Sequence, residues 1–118
     1  MNRVLFFIAV ILIVSCKYAD SNIKQVTILD SEFQIVRIIE SESQILELKK
    51  HWASFESINE LPNSDWTHKI DIDSDSKLGG RWLYNSKGFV ARLNKQLDPK
   101  FKVSDVKKLN MLLLRVDS

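Results

Sequence analysis

The apolar positions of this chain change rhythm several times, and each change predicts an element. From Ile23 to Asp30 (IKQVTILD) β-branched residues are dense enough for a strand. Phe33 to Ile39 (FQIVRII) repeats the pattern after Asp30-Ser31-Glu32, which predicts a hairpin with Phe33, Ile35 and Arg37 on one side of the pleat. Ser41-Glu-Ser-Gln44 then forms a Ser-x-x-Gln capping box. Behind it Ile45, Leu48, Trp52 and Phe55 recur at spacings of three, four and three, predicting an amphipathic helix over about 43–57. Residues 67–73 (THKIDID) alternate in period two, with Ile70 and Ile72 inward and Asp71, Asp73 and Asp75 outward. Residues 81–84 and 89–93, joined by Asn85-Ser-Lys-Gly88, predict a second hairpin. Residues 101–103 suit a short edge strand, and Ser104 can cap a last helix whose Val106, Leu109 and Leu113 share a face. The order ββ-α-βββ-α predicts an α+β fold: one small domain over 23–118, with a mostly antiparallel sheet and two helices.

The first residues follow a different logic. After Arg3, Val4 to Val14 (VLFFIAVILIV) carries no polar side chain. Eleven residues of helix reach about 16 Å, roughly half of a ~30 Å hydrocarbon core, which is too short to span and the right size for the apolar region of a secretory signal. The run ends in Ile13-Val14-Ser15-Cys16, an aliphatic, a variable and a small residue before Cys, and this resembles the lipobox of bacterial prolipoproteins, with Ile13 where Leu is commoner. The resemblance implies diacylglycerol on the Cys16 thiol, cleavage between Ser15 and Cys16, and acylation of the new N-terminus. Residues 1–15 are then a signal peptide, and 16–22 the lipidated Cys with a short polar tether. Three acyl chains hold a protein on a bilayer durably, where one does so only marginally. Lys17 stands where Asp would resemble an inner-membrane retention signal, so the expected address is the outer membrane, facing the periplasm, in a cell with two membranes, and the outer face of the plasma membrane in a cell with one.

Composition narrows the function classes. The chain has 118 residues, formal charge +2 and one Cys, so it offers no disulfide framework, no multi-cysteine metal site and no basic excess pointing to nucleic acid. Asp71-x-Asp73-x-Asp75 opens like a calcium loop but places Ser76 and Trp82 where that loop needs Gly and Glu. His51 and His68 are the two imidazoles, without a His-Glu-x-x-His pattern, and no Ser lies in a nucleophile elbow or a Ser-x-x-Lys context. No cofactor, metal site or catalytic set is therefore expected, and the chain reads as a non-enzyme.

Charge and aromatic residues point instead to recognition. Residues 17–75 hold six Lys/Arg against twelve Asp/Glu, and residues 76–118 ten against three, balances of −6 and +7. Such segregation either steers a partner or cancels across adjacent strands. Lys100, Lys102, Lys107 and Lys108 could instead meet anionic headgroups near the anchor. Trp66, flanked by Asp65 and Thr67, and Trp82 with Tyr84 beside Arg81 have the composition of partner-binding anchors. The series from Trp66 through Lys69-Ile-Asp-Ile72 to Gly80-Arg-Trp-Leu-Tyr-Asn85 and Gly88-Phe89 resembles small bacterial envelope lipoproteins of unassigned function, and carries no residue role with it. The expected function is a lipid-tethered protein-binding module, such as an immunity or inhibitor protein against an envelope-acting toxin or lysozyme. A structural or accessory envelope lipoprotein is the alternative.

Overall fold

The computed structural model describes residues 22–62 and 65–114. The expected signal peptide, with Ser15 and Cys16, and the expected tether up to residue 21 lie outside the described residues. Strand β1 (Ile23–Asp30) pairs antiparallel with β2 (Ile35–Ile39). The connection between them is built by one carboxylate. Asp30 Oδ1 accepts the backbone N–H of Glu32 (2.8 Å) and of Gln34 (2.9 Å), and the Phe33 N–H donates to the Asp30 carbonyl (3.1 Å). This closes a turn that places Phe33 at φ 63°, in the left-handed region, so Phe33 belongs to the turn and not to the strand. The register is Thr27 opposite Ile38, Ile28 opposite Arg37 and Leu29 opposite Ile35, with an irregularity that leaves Val36 out of step. Ile35 and Arg37 therefore face opposite sides of the sheet, against the expectation that they share one.

Helix α1 (Glu42–Ser54) starts where the capping box predicts, with Ser41 Oγ accepting the Gln44 N–H at 3.3 Å. It ends three residues short of the expected boundary. Phe55 is extended (φ −64°, ψ 143°), and Glu56–Ser57 form β3 against β7 (Lys100–Lys102). Between them come β4 (His68–Ser74), β5 (Gly80–Asn85) and β6 (Phe89–Arg92), and the chain's second helix, α2, covers Val106–Leu114. Asp105, not Ser104, caps α2: its Oδ1 accepts the Lys108 N–H at 3.1 Å, while the Ser104 hydroxyl donates to the Ser54 carbonyl. Gly88 sits at φ 113° in the β5–β6 turn, and a Cβ there would lie 2.6 Å from Val106 Cγ2.

Seven strands form one antiparallel sheet in the order β2-β1-β4-β5-β6-β7-β3, so the α+β expectation holds. Both helices pack on one face. Val26, Ile28, Ile39, Ile70, Ile72, Trp82, Tyr84, Val90 and Phe101 meet Ile45, Leu48, Trp52, Leu109 and Leu113 there. At the centre the ring centroids of Trp52 and Trp82 are 5.5 Å apart and edge-on, Trp52 and Phe55 are 4.8 Å apart, and Phe101 lies 5.9 Å from Phe55 and 6.2 Å from Trp82. Fully burying such side chains is the main favourable term in folding, at about 25 cal/mol per Å² of apolar surface. Phe55 and Phe101 contact each other in this cluster just where α1 gives way to β3, so the shortened helix is a consequence of tertiary packing overriding local periodicity.

Candidate functional site

The four residues expected to anchor a partner separate into two groups. Trp82 is 2% exposed, its indole N–H donates to the Leu78 carbonyl (2.9 Å), and the Arg92 guanidinium lies 4.4 Å over its ring. Tyr84 is fully buried, and its hydroxyl donates to the side-chain oxygen of Asn110. Burial alone pushes the Tyr84 hydroxyl pKa well above its ordinary value of 10. These two rings are core residues and not partner anchors, because the period-two alternation of β5 turns both toward the face that α1 and α2 cover. Trp66 is half-buried just before β4, next to Asp65, whose carbonyl accepts the side-chain amide of Asn85. Arg81 alternates to the other face of the sheet.

That open face can be read across the strands from their register. Ile38, Thr27, Asp71 and Arg81 form one row, and Ile35, Leu29, Lys69, Leu83, Ala91 and Lys100 the next. Arg81 donates two parallel bonds to Asp71, Nε to Oδ1 and Nη2 to Oδ2, both 2.7 Å. The hydrogen bond to Asp71 is the main reason that the Arg81 pKa is raised. Over this pair lies Phe33, with Lys69 Nζ 4.0 Å and Arg81 Cζ 5.6 Å from its ring centroid. Phe33 is nevertheless 58% exposed and Ile35 60%, and Val36 and Ile38 extend the apolar strip along β2. Phe33 is unusual twice over: its backbone conformation is one Gly or Asn adopts at far lower cost, and its ring stays largely in water. The sequence carries a signal for this in Asp30, which builds the turn one residue longer than Asp30-Ser31-Glu32.

The charge asymmetry is partly offset in the fold. The acidic first part of the chain forms α1, β2-β1-β4 and β3, and the basic second part forms β5-β6-β7 and α2, so that β3 sets Glu56 opposite Lys102. The Asp71–Arg81 ion pair bridges the seam between β4 and β5, while Asp73 on one side and Lys102, Lys107 and Lys108 on the other remain exposed. Topology also sets which end of the sheet each occupies. β1 begins opposite Ser74, the last residue of β4, so the described chain starts at this end of the sheet. Lys87 lies in the β5–β6 turn, Lys102 pairs with Phe89 at the start of β6, and Lys107 is in the first turn of α2. All three therefore gather at the other end, the length of β5 away, about 20 Å.

Two shallow clefts run between the helices. One of about 320 Å³ is lined by Arg37, Gln44, Glu47, Lys108, Met111 and Leu112, and the next, of about 290 Å³, by Glu47, Lys50, His51, Ser54, Asp105 and Lys108. Burial lowers the His51 pKa below 6.5 against the opposing pull of Glu47 and Asp105, with Lys108 adding to the depression. His68 is lowered too, chiefly by burial; Asp30 opposes and Lys69 adds, and its Nδ1 lies 2.9 Å from Thr67 Oγ1. Among the described residues no three His, Cys, Asp or Glu side chains group as metal ligands, and no helix is long and apolar enough to cross a membrane. Comparison with protein-family models, with curated proteins and with solved structures found no match to this chain.

Proposed function

We propose that this chain is a lipid-anchored cell-envelope lipoprotein, tethered through Cys16 at the periplasmic leaflet of the outer membrane. There it acts as a non-enzymatic protein-binding module. An immunity or inhibitor protein against an envelope-acting toxin or lysozyme is the concrete form of this reading. The observation that carries it is the position of Lys87, Lys102 and Lys107 at the end of the sheet remote from the tether. Over a Debye length of about 8–10 Å, charges there act weakly on groups at the Ile23 end of the sheet, about 20 Å away along the strands. They act well on a partner that approaches from the periplasm, where segregated charge raises the encounter rate and orients docking. The lysines then serve an acidic protein face better than they serve headgroups near the anchor.

A second reading, a structural or accessory envelope lipoprotein, draws support from a different place, the exposed apolar strip of Phe33, Ile35, Val36 and Ile38. The anchor itself is tested by feeding cells a labelled fatty acid. The wild-type chain is expected to take up label and sediment with membranes, and Cys16→Ala to lose both; full labelling of Cys16→Ala would overturn the lipid anchor.

A further inference from the structure

We infer that the apolar strip on β2 is a self-association surface, covered by the same strip of a second copy of this chain. The inference goes beyond the reading above, which uses the lysines at the other edge of the sheet, and it does not rest on the lipid anchor. Four side chains carry it. Phe33, Ile35, Val36 and Ile38 are each about half exposed along one turn and strand, and they offer roughly 400 Å² of apolar surface, within the ~300–600 Å² of the largest patch on a typical monomer, a patch that is often functional. Two copies would bury about 800 Å² from these residues alone. With the polar rim, the contact would come near ~1,200 Å², the lower limit of specific interfaces.

The form of the contact follows from how the edge is built. β2 is an edge strand, but the irregular register at Ile28/Leu29 and the inward-facing Arg37 are features that blunt an edge against strand-to-strand pairing. The strip must therefore be covered by side chains and not by a continued sheet. Its charges are self-complementary. Glu32 is exposed in the turn next to Phe33 in the chain, and the Lys69 ammonium lies 4.0 Å from the Phe33 ring centroid, held by the ring's π face. A two-fold axis parallel to the strands brings Phe33 and Ile35 of the copies together and sets Glu32 of each near Lys69 of the other, the reciprocal pattern of an isologous interface. The same axis leaves the β1 starts of both copies, at Ile23, at one end of the pair. Phe33 then has a use for its left-handed backbone: the turn aims its ring at the axis.

The test places a nitroxide on the rim of the strip, through Gln34→Cys in the full chain in native membranes. Gln34 is exposed, and its backbone, not its side chain, serves the turn. Dipolar broadening between labels is expected, and its loss when Phe33→Gly is added; Gly adopts the turn conformation readily, so a circular dichroism spectrum unchanged from wild type is expected alongside. Absence of broadening in the Gln34→Cys chain would overturn the inference, as would broadening that Phe33→Gly leaves unchanged. High oxygen accessibility without broadening would assign the strip to the bilayer instead. Labelling of the chain without Gln34→Cys reports separately on the anchor: label taken up at Cys16 would count against acylation. In that event the pair of measurements is repeated on Cys16→Ala in solution, where the same two outcomes decide the dimer.

Discussion

The two faces of the sheet hold aromatic rings under opposite conditions. On the covered face Trp82 is enclosed by Trp52, Phe101 and Arg92, and its indole N–H is bonded to Leu78. On the open face Phe33 has two cations beneath it and water above, on a backbone that costs more for Phe than for Gly. The contrast teaches that aromatic composition alone does not mark a recognition site. A ring that folding needs is surrounded. A ring left largely in water on a backbone conformation that disfavours it is not accounted for by burial.

The sharpest way to break this comparison is to truncate each ring in turn. Trp82→Ala should cost about 3–5 kcal/mol, read as a large drop in the midpoint of denaturant unfolding, because it opens a cavity at the centre of the core. A cost near zero would place Trp82 outside the packing that defines the covered face. Phe33→Gly should change stability by no more than about 1 kcal/mol, since relief of the left-handed conformation offsets the lost cation–π contact and the looser unfolded chain. A loss as large as that of Trp82→Ala would make Phe33 a structural residue and remove the contrast.

A smaller effect sharpens the covered side further. His51 has its folded pKa depressed below 6.5, so the unfolded chain binds the proton more readily than the folded one. Stability should thus be full at neutral pH and fall as pH drops below about 6.5 toward the lower folded value, as a group buried neutral must either charge or unfold. His68 shifts the same way and adds to the slope. Thermal unfolding across pH 7.5 to 5, with His51→Gln as the control, should show a shallower slope in the variant; equal slopes would assign the pH dependence elsewhere.

Sequence pattern revealed the elements that local chemistry fixes. Ile45, Leu48, Trp52 and Phe55 mark their helix face by spacing alone, and Asn85-Ser-Lys-Gly88 closes its hairpin because Gly88 supplies the positive φ. What pattern could not reveal depends on contacts distant in the chain. Trp82 and Tyr84 alternate correctly, but which side of β5 becomes the core is decided by where α1 and α2 land. Phe55 leaves the helix to meet Phe101, which lies 46 residues later in the numbering. Lys87, Lys102 and Lys107 cluster only because a turn, a strand end and a helix start meet at one end of the sheet. The strip on β2 was hidden for the opposite reason. Phe33 occupies a turn position that local preference gives to Gly or Asn, so propensity placed it in the strand.

The account's central claim is that the anchored chain binds an envelope protein through its distal basic end. The most direct measurement is affinity capture of the chain from its own envelope at low and high salt, with Lys102→Glu combined with Lys107→Glu as the charge-reversed comparison. The prediction is one stoichiometric partner with an acidic face, whose recovery falls at high salt and is lost in the charge-reversed chain. Recovery of no protein but the chain itself, or of a partner indifferent to both salt and charge reversal, would contradict it.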